Sequence, residues 1–165
     1  MSRMAWLDLV TEYSASTDQK HALGAERDVT EGDAAGSAVL GTKRYRYVKN
    51  ADVIAFVAGN VIQRTAATNS AASGIVCVST SVYKGKVLGV AVSAIPAGGF
   101  GWVQIKGYSP SLVSGGAVAA GDPIGTQGAT TAGAVFTVTL GLGTDFAYAL
   151  TDDSGTQVNA ILDIP

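Results

Sequence analysis

From Lys43 onward the chain takes on β character. In Lys43-Arg44-Tyr45-Arg46-Tyr47-Val48-Lys49 the two tyrosines fall on one face and the two arginines on the other, the two-residue period of a strand. Apolar and β-branched runs of strand length follow at 53–57, at 61–64, at 75–82, and at 87–95, which Pro96-Ala97-Gly98-Gly99 ends. Further ones lie at 102–105, ended by Gly107, and at 135–140, 146–150 and 158–164, the last two joined around Asp152-Asp153-Ser154-Gly155. No helical period of ten residues appears after Lys43. Short strands punctuated by Gly, Pro, Asn and Asp predict a mainly β domain, a compact β-sandwich or a β-barrel-like unit, over residues 43–165.

Residues 1–42 are different. Trp6, Leu9, Val10 and Tyr13 fall at helical spacing, enough for one or two turns, and the stretch after them keeps no period of either kind. This segment is expected to be an extended N-terminal arm that contacts a neighbour, because a large aromatic such as Trp6 in an arm usually docks somewhere. Trp6, Leu9 and Tyr13 are its candidate interface residues.

The composition favours binding over chemistry. Charged residues make up 15% of the chain, below the roughly 25% common in soluble domains, so much of the surface is expected to lie against partner protein. The net charge is −2, but the charges are sorted. Every basic residue lies between Arg3 and Lys106, and beyond Lys106 only Asp122, Asp145, Asp152, Asp153 and Asp163 remain. That asymmetry either suits contacts of complementary sign between subunits or is chance in a lightly charged chain.

The inventory for catalysis is thin. His21 is the single histidine and lies in the arm, where a solvated or interface side chain is the expectation. Cys77 is the single cysteine, in an apolar run, and is expected to be a buried small hydrophobe. No Ser-His-Asp or Cys-His set, zinc site or phosphate-binding loop can be assembled from these residues, so no catalytic, cofactor or metal site is expected. Asp152 and Asp153 read as a turn and not as an acid pair. No apolar run approaches the roughly 20 residues that cross a bilayer, so no membrane partner is expected. The N-terminus lacks the apolar centre of a signal peptide, which points to synthesis in the cytoplasm. Lys43, Arg44, Arg46 and Lys49 form the densest basic cluster, interleaved with Tyr45 and Tyr47. Four charges in an acidic chain argue against nucleic acid; a strand that docks on an acidic protein surface fits better, and these four are candidate interface residues.

A weak internal repeat is also present. Ala58-Gly59-Asn60-Val61-Ile62 is matched by Ala120-Gly121-Asp122-Pro123-Ile124. Gly89-Val90-Ala91-Val92, a turn, and Trp102-Val103-Gln104-Ile105 are matched by Ala147-Tyr148-Ala149-Leu150, a turn, and Val158-Asn159-Ala160-Ile161. A duplicated β unit is one reading. Coincidence in a chain rich in Ala, Gly and Val is the other.

The series from Tyr45-Arg46-Tyr47-Val48-Lys49-Asn50-Ala51 through Ala58-Gly59-Asn60-Val61-Ile62 resembles the small head-decoration, or capsid cement, proteins of tailed bacteriophages. So do Gly89-Val90-Ala91, then 95–107 with Gly101-Trp102-Val103-Gln104-Ile105-Lys106-Gly107, then Val118-Ala119-Ala120-Gly121-Asp122-Pro123-Ile124. The resemblance covers residues 43–165 and not the arm. It implies a structural virion protein, made in the host cytoplasm and placed on the capsid surface. Its partners would be the major capsid protein and itself, as a homotrimer or other homo-oligomer, and it would stabilise contacts between capsomers. The family brings no catalytic residues. Alternatives are another virion part, such as a tail-tube or head–tail connector protein, and a carbohydrate-binding β domain, which would need exposed aromatic platforms.

Overall fold

The computed structural model describes residues 14–32, 39–65, 73–76, 86–126, 131–140 and 145–165. Trp6, Leu9, Tyr13 and Cys77 lie outside the described residues. Every regular element described is a strand: β1 (Glu26–Gly32), β2 (Val39–Asn50), β3 (Val61–Arg64), β4 (Ser73–Val76), β5 (Val87–Ala91), β6 (Phe100–Val113), β7 (Pro123–Gly125), β8 (Phe136–Thr137), β9 (Asp145–Ala149) and β10 (Gln157–Asp163). The domain is mainly β, as the alternation predicts.

All ten strands join one sheet in the order β1-β2-β4-β3-β5-β6-β10-β9-β7-β8, and β2 also pairs with β6. That extra pairing closes β2, β4, β3, β5 and β6 into a ring with no free edge. The remaining strands curl the same way. The end of β6 meets the start of β8 in a parallel bridge between Ser114 and Val135. Gly115 N–H donates to Val135 O (3.1 Å) and Val135 N–H to Val113 O (2.8 Å). A second ring of β6, β10, β9, β7 and β8 results. The two rings share β6, its first half in one and its second half in the other.

The rings have the same plan. In ring 1, β4 lies parallel to β2 and antiparallel to β3; in ring 2, β8 holds that place beside the end of β6 and β7. Gly59 N–H donates to Ala91 O and Ala91 N–H to Asn60 O; in ring 2, Gly121 N–H donates to Ala149 O and Ala149 N–H to Asp122 O. The turns matched in the sequence thus occupy matching places. The strand after them is offset differently: Ala91 pairs with Val103 and Ala149 with Ala160, so Val103 corresponds to Ala160, one residue later than the sequence match places it.

Three apolar clusters follow. Val48, Phe56, Ile62, Leu88, Ala91, Ile95 and Val103 fill ring 1. Leu112, Val118, Ile124, Phe146, Val158, Ala160 and Leu162 fill ring 2, and Val61, Val87 and Val90, on the outside of ring 1, join them. Strand β10 shows the pattern plainly: residues 158, 160 and 162 are buried, while 157, 161 and 163 are exposed. The third cluster is Tyr45, Tyr47 and Trp102, covered by Ala25 and Val29.

Several expectations change in detail. The stretch 53–57 is not a strand; only Phe56 bridges, to Ile95. Strand β6 does not stop at Gly107 but runs on to Val113. Gly107 takes φ +89 there, and a Cβ would sit 2.7 Å from Thr42 O, so the glycine bends the strand as it passes between rings. The change in character at Lys43 falls inside β2, and residues 26–32 are strand β1 along its flank.

Candidate interaction surface

The basic strand is largely engaged within the chain. Arg44 stands opposite Asp28, and Arg46 opposite Glu26, in the β1–β2 register. Arg44 donates to both carboxylate oxygens of Asp28 (2.6 and 2.9 Å). This hydrogen bond holds the Asp28 carboxyl below its ordinary value and raises the Arg44 guanidinium. Arg46 is buried and donates to Glu26 (2.7 and 3.0 Å) and to the carbonyl of Pro165 (3.0 Å). Lys43 is buried with its Nζ 5.6 Å from the Tyr108 ring, and the Nζ of Lys49 lies 5.8 Å from the Phe100 ring. The four cations therefore share a strand without making one open basic patch.

Residues 14–32 cover the aromatic side of the same strand. Ser16 exchanges backbone bonds with Phe100, and Tyr47 with Gly24 and Ala25. His21, expected to be solvated or at an interface, instead packs its ring on Tyr47 (5.0 Å) and Trp102 (5.3 Å). Arg27 stacks over Trp102. Trp102 is fully buried and offers no platform for a sugar.

The pronounced apolar exposure of ring 1 lies in the loop 51–60, where the sequence predicts a strand at 53–57 and not a surface. Asn50 is buried and organises it. Its amide donates to the carbonyls of Ile54 (2.9 Å), Ile95 (3.0 Å) and Pro96 (3.1 Å), and its oxygen accepts the Asp52 N–H (2.8 Å). Phe56 plugs into ring 1 with no exposed surface and exchanges both backbone bonds with Ile95. The Asn60 side chain accepts the Val57 N–H (2.9 Å). On this braced frame Val53 is 92% exposed, Ile54 52% and Val57 59%. Isolated exposed apolar residues need no explanation, but three on one fixed loop do.

Ring 2 provides an internal control. Its loop repeats part of this frame: Asp122 accepts the Ala119 N–H (3.0 Å) as Asn60 accepts that of Val57, and buried Val118 takes the place of Phe56. Between Ser114 and Val118 it uses only Gly115, Gly116 and Ala117, where ring 1 has 51–55, and Ala119 stands for Val57. The fold can build this turn without Val53, Ile54 and Val57.

Other chemistry is sparse. A hollow of about 150 Å3 lined by Lys43, Tyr45, Gln104 and Ser109 among others is small beside the roughly 300–1,000 Å3 of ligand pockets. Among the described residues no group of three His, Cys, Asp or Glu side chains is placed to hold a metal ion. Asp152 accepts the Ala120 N–H (2.9 Å), and Asp153 accepts the Ser114 hydroxyl and the Gly155 N–H (both 2.8 Å), so both brace ring 2.

No protein-family model matches the chain, and no curated protein does. Among solved structures the fold is similar to that of the N base of head fiber gp8.5 in bacteriophage phi29. The identity is 14%, 72% of this chain and 94% of that chain are covered, and the TM-score is 0.50. At that identity the likeness is one of fold.

Proposed function

We propose that this chain is a non-catalytic structural protein of a phage virion that sits on the outer surface of the head, binds the major capsid protein and stabilises contacts between capsomers. The observation that carries the reading is the braced loop with Val53, Ile54 and Val57 held out to solvent, on a turn that ring 2 builds from Gly and Ala. The fold shared with the base of a head fibre supports the choice of partner, as does the resemblance of residues 43–165 to decoration proteins. A knob of three apolar side chains fits an uncharged cleft on a protein surface. Burying it contributes on the order of 3 kcal/mol per copy, modest alone and large when repeated over a symmetric shell.

The test is co-sedimentation and negative-stain imaging with phage heads assembled without this protein. Regular surface knobs are expected. The triple variant Val53→Ser, Ile54→Ser, Val57→Ser should bind about 100-fold more weakly while keeping its unfolding midpoint. Absence of binding to heads, decoration of tails instead, or undiminished binding by the triple variant would each overturn the reading.

A further inference from the structure

Ring 2 leaves one apolar sheet face uncovered. Ile161 of β10 stands opposite Tyr108 of β6 and Tyr148 of β9, and Tyr148 stands opposite Pro123 of β7. Opposed residues of an antiparallel ladder point to the same side, so these four form one row across four strands. Tyr148 is 47% exposed and Ile161 41%; Leu150, on the same side of the chain two residues on, is 48% exposed.

The corresponding row in ring 1 is Gln104, Val90 and Val61, opposed to one another in the same way. All three are buried, and Val61 and Val90 belong to the core cluster of ring 2. In ring 1, then, a second ring lies over this face. In ring 2 nothing described does, as at the last unit of a repeat that lacks a cap.

We infer that a second copy of this chain covers the ring 2 row, the same face of each copy meeting the other about a two-fold axis. The opposite flank of the molecule is closed by residues 14–32 over Tyr47 and Trp102, so a copy cannot stack there on the aromatic cluster. The row is also self-complementary in charge. Its border carries Lys106 and Asp163, opposed in register with Nζ 3.6 Å from the carboxylate, and a two-fold gives each copy one charge of each sign to meet. The resemblance implies a homotrimer or other homo-oligomer, and the geometry of this row selects a pair whose contact requires no head.

Light scattering on the purified protein, without heads, tests this. The mass should be twice the 16.6 kDa of one chain. The variants Ile161→Lys and Tyr148→Lys should weaken pairing at least about 100-fold and run as single chains with an unchanged far-ultraviolet spectrum. The Val53→Ser, Ile54→Ser, Val57→Ser variant should still pair, which separates this contact from head binding. As a readout independent of how the lysine variants fold, Ile161→Cys should form a disulfide-linked pair on oxidation. A single-chain mass for the unaltered protein, pairing that survives both lysines, or no crosslink through position 161 would overturn the inference.

Discussion

Ring 1 and ring 2 are built on one hydrogen-bond plan and differ in what surrounds them. Ring 1 is covered on both flanks, by residues 14–32 over Trp102 and by ring 2 over Val61 and Val90. Its loop carries bulky apolar side chains outward. Ring 2 has a loop trimmed to Gly and Ala and an uncovered outer face with Tyr148 and Ile161. The shared bonds mark what the fold requires. The departures, at the loop in one ring and the face in the other, mark where side chains exceed that requirement, and those are the two surfaces assigned here to partners.

The comparison breaks most visibly if ring 1 loses its cover. Deleting residues 1–32 removes Glu26 and Asp28 from the arginines of β2 and uncovers Tyr47 and Trp102. Re-exposing two large aromatics costs about 5 kcal/mol, comparable to the whole stability of a small domain. The truncated chain should therefore lose cooperative unfolding in urea. A midpoint equal to that of the full chain would show that ring 1 stands alone and that residues 14–32 are only attached to it.

That dependence explains which parts were legible in the sequence. Strand β3 is visible as Val61-Ile62-Gln63-Arg64 because a β-branched pair and a preceding turn mark it. Strand β1 is not, because Glu26-Arg27-Asp28 carries an edge strand's charges, which make sense only opposite Arg44 and Arg46. The run 53–57 has strand composition but becomes a loop, since buried Asn50 captures the Ile54 carbonyl that a strand partner would need. The turns at Gly59 and Gly121 were readable because glycine at positive φ leaves a mark in sequence. The strand match after them slipped by one residue because Ala and Val recur too often to set a register. The exposed loop could not be found from composition, as exposure depends on which apolar residue becomes the plug, and here that is Phe56.

A smaller difference separates the two rings at those turns. Gly59 has φ +86 and Gly121 φ +90, both in the left-handed region. Alanine at Gly121 would meet nothing within 4 Å, so it should cost only backbone strain, about 1 kcal/mol. Alanine at Gly59 would run into the Ser111 carbonyl and sit 3.2 Å from Val113 N, both on the strand the rings share. Strain plus displacement of β6 should bring its cost to about 3 kcal/mol. Urea midpoints of the two variants measure this directly. Equal losses would mean that the rings are not pressed together at Gly59.

The smallest effect lies one residue on, where ring 1 has Asn60 and ring 2 has Asp122. Asn60 is buried, and a carboxylate there would be penalised by desolvation. Asp122 is only half-buried and accepts bonds from the Ala119 N–H (3.0 Å) and the Thr137 hydroxyl (2.7 Å). The Ala119 bond first, and the Thr137 bond second, hold its carboxyl below the ordinary 3.8. The charged form is thus favoured by folding. Its contribution is present above the ordinary value and disappears as pH falls through the lower folded one. The unaltered protein should therefore be slightly more stable than Asp122→Asn at neutral pH and lose that margin below about pH 4. The Arg44–Asp28 pair titrates in both proteins and cancels in the difference. A margin that stays constant from neutral to acid would show that the Asp122 turn, like its Asn60 counterpart, is held by geometry and not by charge.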